Sequence, residues 1–288
     1  MNLRDKITSQ FSQLSPQLQH AAEFSLQNAN QLVVESMRTF AVSAGVQPAT
    51  LMRLAQRLGF PGWGDLKNAF IDELGLRNDT YVSRAEKLVN SETKQDLYHE
   101  VFNAQASNLE HTKVENHAAM QQAVELLDNA RHVYICGYRA SFPIAWSLFY
   151  VYRLFNPRVT LIDGLASGSE IYSRELTADD CVLIASFSPY SREVLKLVNA
   201  AVKAGSKIIA ITDSPVSPVA QKAACSLYFN TDGPSFFPSI VSGMGIAECL
   251  LALLVAKHGQ QAVARIENAE HYLIDSGAYV ISRKQRSE

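Results

Sequence analysis

From residue 132 onward, short apolar runs alternate with helical patterns, and this alternation constrains the fold of the 288-residue chain more than any other feature. The runs are His132–Cys136, Val159–Ile162, Cys181–Ala185, Lys207–Thr212 and Ser226–Phe229. Between them lie helical patterns at Phe142–Phe155, Leu165–Glu175, Arg192–Ala204 and Pro218–Ala224. Apolar strands separated by helices need cover on both faces, so the alternation predicts a five-stranded parallel sheet in an α/β/α arrangement. A long helix, Ile240–Lys257, follows, and a further one, Gln260–Glu270, is expected to extend the connector layer described below.

The first third obeys a different grammar. Helical periodicity in short pieces runs from Leu3 to Leu74, with helices expected at Ser15–Leu26, Asn30–Glu35, Ser36–Ala44, Pro48–Leu58 and Trp63–Leu74. Phe60-Pro61-Gly62 breaks the last two apart. Residues 78–115 are more polar and read as a helical connector, with Leu97, Val101 and Phe102 as packing residues. The expected division is therefore an all-α domain at 1–77, the connector at 78–115, and an α/β/α domain with C-terminal helices at 116–288.

Composition narrows the class. Apolar residues make up 47% and charged residues 19%, which suits a globular chain and argues against disorder. The net charge of −2 excludes a nucleic-acid binder that works through the charge of the whole molecule, though not one with a local basic face. The N-terminus lacks the apolar core of a secretory signal, and the apolar run Met244–Ala256 contains Glu248 and is too short to span a bilayer. A cytoplasmic protein without membrane partners is expected. Cys136, Cys181, Cys225 and Cys249 form no C-x-x-C, and the seven histidines form no ligand pair, so neither a metal nor another cofactor is expected.

Residues 36–59 have the mechanics of a helix-turn-helix. Ala41 is small where two helices must cross, Gly45 permits the positive φ of a tight turn, and Val46 plugs the space behind it. Pro48 opens the second helix at its favoured first position. Leu51, Leu54, Ala55 and Leu58 recur at helical spacing and face the core, leaving Ala49, Thr50, Arg53, Gln56 and Arg57 outward. Arginine forks onto guanine, glutamine onto adenine, and threonine meets phosphate or a thymine methyl. Arg38 and Lys67 are expected to hold the DNA backbone on either side. The alternative is an ordinary hairpin with a solvated polar face. The first 80 residues carry seven basic and seven acidic side chains, but no carboxylate lies between Arg38 and Gly64.

Two strand-to-helix turns carry the second constellation, Gly137-Tyr-Arg-Ala-Ser141 and Ser186-Phe-Ser-Pro-Tyr-Ser-Arg-Glu193. Both fall at the carboxyl edge of the sheet, where open α/β folds bind ligands. Hydroxyls clustered at a helix N-terminus, with its free N–H groups and partial positive charge, make a phosphate cradle. Ser186, Ser188 and Ser191 supply three, and Arg139 adds a charge-assisted contact to an anion. Capping is the competing role for any one serine, Ser191 above all, and Arg192 is assigned to the solvated helix surface.

These motifs, in this order, resemble the RpiR family of bacterial transcriptional regulators. The N-terminal resemblance lies in Ala44–Arg53 and Leu58–Trp63; the C-terminal one, to a sugar isomerase (SIS) domain, lies in Gly137–Ser141, Ser186–Glu193 and Ile211–Pro218. The resemblance implies a homodimer, or dimer of dimers, that binds operator DNA and senses a phosphosugar. It implies Ser141, Ser186, Ser188 and Ser191 as ligand contacts, and Gln47 stands at the recognition-helix cap where the family normally has Ser. The chain also departs from the family pattern elsewhere. The second Gly of the usual G-x-G-x-S turn is Arg139, and in the usual S-x-S-G-x-T-x-E, Pro189 replaces Gly and Ser191 replaces Thr. A cationic side chain is gained and one cradle N–H is lost, so the expected ligand is a carboxylate or other anionic metabolite related to a sugar phosphate.

A ligand-controlled DNA-binding regulator is the function that follows. One alternative is a phosphosugar isomerase with a helical appendage, for which Glu193 and Glu248 are the candidate acids. The other is a module whose helical domain meets a protein partner.

Overall fold

All five expected strands are present in a computed structural model, which describes residues 3–73, 80–91, 96–164 and 168–279. Strands β1 (Val133–Gly137), β2 (Val159–Ile162), β3 (Cys181–Ser186), β4 (Lys207–Thr212) and β5 (Cys225–Tyr228) form one sheet in the order β2-β1-β3-β4-β5. Every pairing is parallel, with Gly137 opposite Ala185 and Ser186 opposite Thr212. The chain leaves β1 towards one edge and returns at β3 to build towards the other. This places the topological switch point, where such sheets bind ligands, between the carboxyl ends of β1 and β3.

The N-terminal domain is a cluster of short helices, α1 (Leu3–Gln10), α2 (Pro16–Gln27), α3 (Ala29–Val34), α4 (Met37–Ser43), α5 (Pro48–Arg57) and α6 (Trp63–Glu73). Their apolar sides converge on one core around Leu32, Phe40, Leu51, Leu54, Leu58 and Leu66. Then come α7 (Tyr81–Asn90) and the 32-residue α8 (Leu97–Asp128). The boundary expected between residues 115 and 116 falls inside α8, which runs through it unbroken because Asn116, Met120, Ala123 and Val124 continue one buried stripe. Phe102, expected to pack inward, is 56% exposed beside Tyr98, with ring centroids 4.9 Å apart. The connector positions 78, 79 and 92–95 lie outside the described residues.

The remaining helices are α9 (Phe142–Phe155), α10 (Gly168–Glu175), α11 (Arg192–Ala204), α12 (Val241–His258) and α13 (Gln260–Asp275). Residues 165–167, expected to begin α10, lie outside the described residues. The stretch Pro218–Ala224 forms only one 3-10 turn at Ala220–Lys222, too short to count as the expected helix. One face of the sheet packs Val133, Ile135, Leu183 and Ile209 against α8, α9 and α12; the other packs Cys136, Val182, Ile184 and Ala210 against Val194, Leu197 and Val198 of α11. Both faces are covered by apolar side chains, which accounts for the continuous apolar runs of the strands. Helix α13 packs on α9, where Arg265 Nη1 donates to Phe155 O at 3.2 Å, rather than extending the connector layer. Helix α12 is long and apolar enough to cross a membrane, but Ile246, Ala247, Leu250 and Leu254 bury its inner face in the core. Cys136, Cys181 and Cys225 are buried, and burial pushes the first two thiols up to about 12.

Candidate functional site

Helices α4 and α5 form the helix-turn-helix. Ser36 caps α4, its Oγ accepting from Thr39 N at 3.2 Å. Gly45 adopts φ +65° with open space around it, so backbone conformation rather than crowding demands glycine there. Val46 N then donates to Ala41 O at 3.0 Å, closing the turn. Pro48 starts α5, and Gln47 before it is exposed and makes no side-chain cap. Leu51, Leu54, Ala55 and Leu58 are fully buried, while Arg38, Arg53, Gln56 and Arg57 are exposed. Arg53 Nε donates to Ala49 O at 3.3 Å.

Two of the expected DNA contacts are less open than the others. Thr50 is 3% exposed rather than outward, because its position four before Leu54 and eight before Leu58 places it on the core stripe. Lys67 is half-buried, and its Nζ donates to Glu35 O at 2.7 Å. Burial, and then the Arg192 charge, lower its pKa.

The second site is a cavity of about 510 Å³ at the switch point. Arg139 and Ser141 line it from the turn after β1; Ser186, Ser191 and Glu193 line it from the turn after β3. Gly137 makes the first turn tight enough: a Cβ there would lie 2.7 Å from Ser141 O and 2.8 Å from the Ala145 Cβ. Ser191 caps α11, its Oγ accepting from Val194 N at 3.3 Å, and also forms part of the wall. Ser186 is on the wall but only 3% exposed. Ser188, expected to join them, is buried beside the cavity rather than on its wall, and its backbone N–H is given to Asp213 Oδ2 at 3.1 Å.

Asp213, directly after β4, was not among the site residues expected from sequence. It anchors the serine loop twice, since Tyr190 Oη donates to Asp213 Oδ1 at 2.8 Å. Burial, followed by the Asp213 charge, pushes the Tyr190 phenol far above its ordinary range, which keeps it a neutral donor. The one available signal was the position of Thr212-Asp213 at a strand's carboxyl end. Arg192, assigned to the surface, is exposed but borders the cavity.

Arg139 sits at φ 54°, the single non-glycine residue with positive φ among those described. Its Nη2 lies 3.0 Å from Glu193 Oε1, so the cationic group expected to meet a ligand is paired within the protein. The Glu193 carboxyl is held below its ordinary range, first by its own backbone amide and then by Arg139. Among the described residues Glu193 is the one carboxylate on the cavity wall, and no histidine lines it. Glu248 is exposed on α12 away from it. Among the described residues no group of His, Cys, Asp and Glu is placed to hold a metal ion.

Known proteins share both parts. Residues 1–76 match the helix-turn-helix domain of the rpiR family, and residues 126–256 match the SIS domain. The sugar isomerase domain of an RpiR transcription factor from Sphaerobacter thermophilus is 26% identical, with a TM-score of 0.59, over 61% of this chain and 99% of that one. The NanR protein of Vibrio vulnificus, solved with ManNAc-6P, shares the fold at 18% identity with a TM-score of 0.56, over 96% of this chain and all of that one. A helix-turn-helix joined to a SIS domain defines a DNA-binding transcriptional regulator. The chain carries the helix-turn-helix domain of the rpiR family followed by a SIS domain.

Proposed function

We propose that the exposed side of α5 reads operator DNA and that the serine-lined cavity senses a phosphosugar or a related anionic metabolite. Arg53, Gln56 and Arg57 read base edges, and Arg38 and Gln47 contact the backbone. The phosphate lies against Ser141, Ser186 and Ser191 at the N-terminus of α11. Arg139 exchanges Glu193 for the ligand anion. The protein works in the cytoplasm as a homodimer, which matches two half-sites on DNA.

The observation that carries this reading is one chain holding both an exposed arginine face without carboxylates and a hydroxyl-lined cavity at the switch point. The isomerase alternative needs a general base over the substrate, and the one carboxylate that lines the cavity among the described residues is engaged by Arg139. The NanR structure supports the ligand class, because a relative of the same fold is seen with a phosphorylated amino sugar.

Gel shifts with the gene's own upstream DNA, with and without glucose 6-phosphate, fructose 6-phosphate or ManNAc-6P, test the reading. Specific binding altered by one of them is expected. Turnover of any at roughly one per second or faster would favour the enzyme instead. Thermal shifts produced only by neutral compounds, unchanged in Arg139→Ala, would remove the anionic ligand.

A further inference from the structure

One wall of the serine cavity comes from outside the SIS domain. Tyr81, the first residue of α7, lines it together with Phe237 of the loop before α12. The two rings stack with centroids 5.1 Å apart and planes 29° from parallel. The same loop receives Arg84 Nη2 on Gly233 O at 3.4 Å, and Asn108 of α8 holds it from behind, Nδ2 donating to Asp232 O at 2.7 Å.

Helix α7 is lightly held. Thr80 caps it, Oγ1 accepting from Ser83 N at 3.1 Å, but none of its ten residues is buried, and Tyr81 is 40% exposed. A helix this short has little stability of its own, so its position depends on what its first turn touches. What it touches is the ligand cavity. An anion placed at the N-terminus of α11 directs the rest of an elongated ligand towards the aromatic wall, and the C–H face of a sugar ring packs well on an aromatic ring.

We propose that Tyr81 is a ligand-contacting residue supplied by the connector, and that filling the cavity fixes α7 on the 233–237 loop. This rests on the phosphosugar reading above. The last helix of the DNA-binding domain, α6, ends at Glu73, shortly before Tyr81. Occupancy is thereby read where the chain leaves that domain. A ligand that touches Tyr81 binds the docked arrangement of α7 more tightly than the undocked one, and by linkage the docked helix binds ligand more tightly.

Hydrogen exchange read by mass spectrometry on the full chain, with glucose 6-phosphate, fructose 6-phosphate or ManNAc-6P, tests this. The expected result is joint protection of residues 186–193 and 81–90 by the same sugar phosphate. Tyr81→Ala keeps protection at 186–193, loses it at 81–90 and weakens binding about three- to tenfold, while Tyr81→Phe retains all three. Phe237→Ala gives the same loss from the opposite ring. Protection of 186–193 without 81–90, or unchanged affinity in Tyr81→Ala, overturns the inference and leaves the phosphosugar reading standing. Protection at neither place by any of the three overturns both.

Discussion

Arg139 and Glu193, on two different strand-to-helix turns, are joined across the mouth of the cavity at 3.0 Å. The pair sets opposite charges side by side at the switch point between β1 and β3. Arg139 achieves this from a left-handed backbone conformation, φ 54°, at the position where the family pattern has glycine.

That conformation costs a bulky residue about 1–2 kcal/mol, whereas an exposed ion pair contributes about 0.2–1 kcal/mol. Glycine also frees the unfolded chain at a cost of about 0.5–1 kcal/mol, so Arg139→Gly is expected to leave stability within about 1 kcal/mol while weakening anion binding. Urea unfolding and calorimetric titration with a sugar phosphate measure the two effects; a larger loss of stability would show that the pair outweighs the strain.

Glu193→Gln frees the guanidinium and removes a negative charge from the cavity wall. The expected outcome is tighter binding of sugar phosphates, by roughly threefold to tenfold, at nearly unchanged stability. The Glu193 carboxyl is held below its ordinary range, so wild type keeps the pair from neutral pH down into the acid range. Its affinity should approach that of the variant only at still lower pH, as Glu193 protonates. Titrations across that range check the convergence.

Arg53 and Thr50 lie three residues apart on α5, at the edge of its buried stripe, with Arg53 exposed and Thr50 buried. Arg53→Ala should weaken specific operator binding by roughly ten- to a hundredfold and leave the SIS domain folded. Thr50→Val, a change inside the core, should leave DNA affinity within about twofold. Fluorescence anisotropy with operator and scrambled DNA distinguishes them, and equal losses would move the recognition surface.

Asp213 holds the serine loop through Ser188 N and Tyr190 Oη. Tyr190→Phe removes one of these bonds and should cost about 1–2 kcal/mol of stability. Asp213→Ala removes both and should also weaken sugar-phosphate binding by tenfold or more. Unaltered binding in Asp213→Ala would show that the loop is held by its caps and packing alone.

Asp180 is expected to contribute to the acid sensitivity of the fold. It is buried, and accepts from Arg131 Nη2 at 2.8 Å and from Thr177 N and Oγ1 at 2.8 and 2.9 Å. Burial pushes its carboxyl up, but the bonds from Arg131 and Thr177 outweigh this, and the net pKa lies below the ordinary value. A group lowered on folding stabilises above its unfolded pKa, about 3.9, and that stability is lost as pH falls through the folded value. Asp180→Asn should cost about 2 kcal/mol at neutral pH and flatten the dependence below about pH 4. Urea midpoints measured across pH report it, and a parallel acid limb in both proteins would contradict the assignment.

Local chemistry made much of this legible before any coordinates. The strands were visible because burial on both faces leaves continuous apolar runs, and the turn at Gly45 because few other residues accept its φ. Ser141, Ser186 and Ser191 were visible because strand-to-helix turns at one sheet edge must converge. Ser188 lies in the same turn, but its backbone is held by Asp213, which is 25 residues away along the chain. Thr50 failed because an outward reading of α5 did not extend the Leu54–Leu58 stripe one turn back. The short helix expected after β4 shrank to a 3-10 turn for want of an apolar face long enough to pack.

The amino-acid sequence by itself determined the elements, the parallel sheet and the two strand-to-helix turns that carry the serines, because periodicity and turn chemistry act over a few residues. Only the tertiary structure decided which polar groups meet. The pairing of Arg139 with Glu193, the anchoring by Asp213, the bond from Lys67 to Glu35 O and the aromatic wall from Tyr81 and Phe237 each join residues distant along the chain. Such pairs are set by how helices and strands pack, and no local pattern encodes the distance between them.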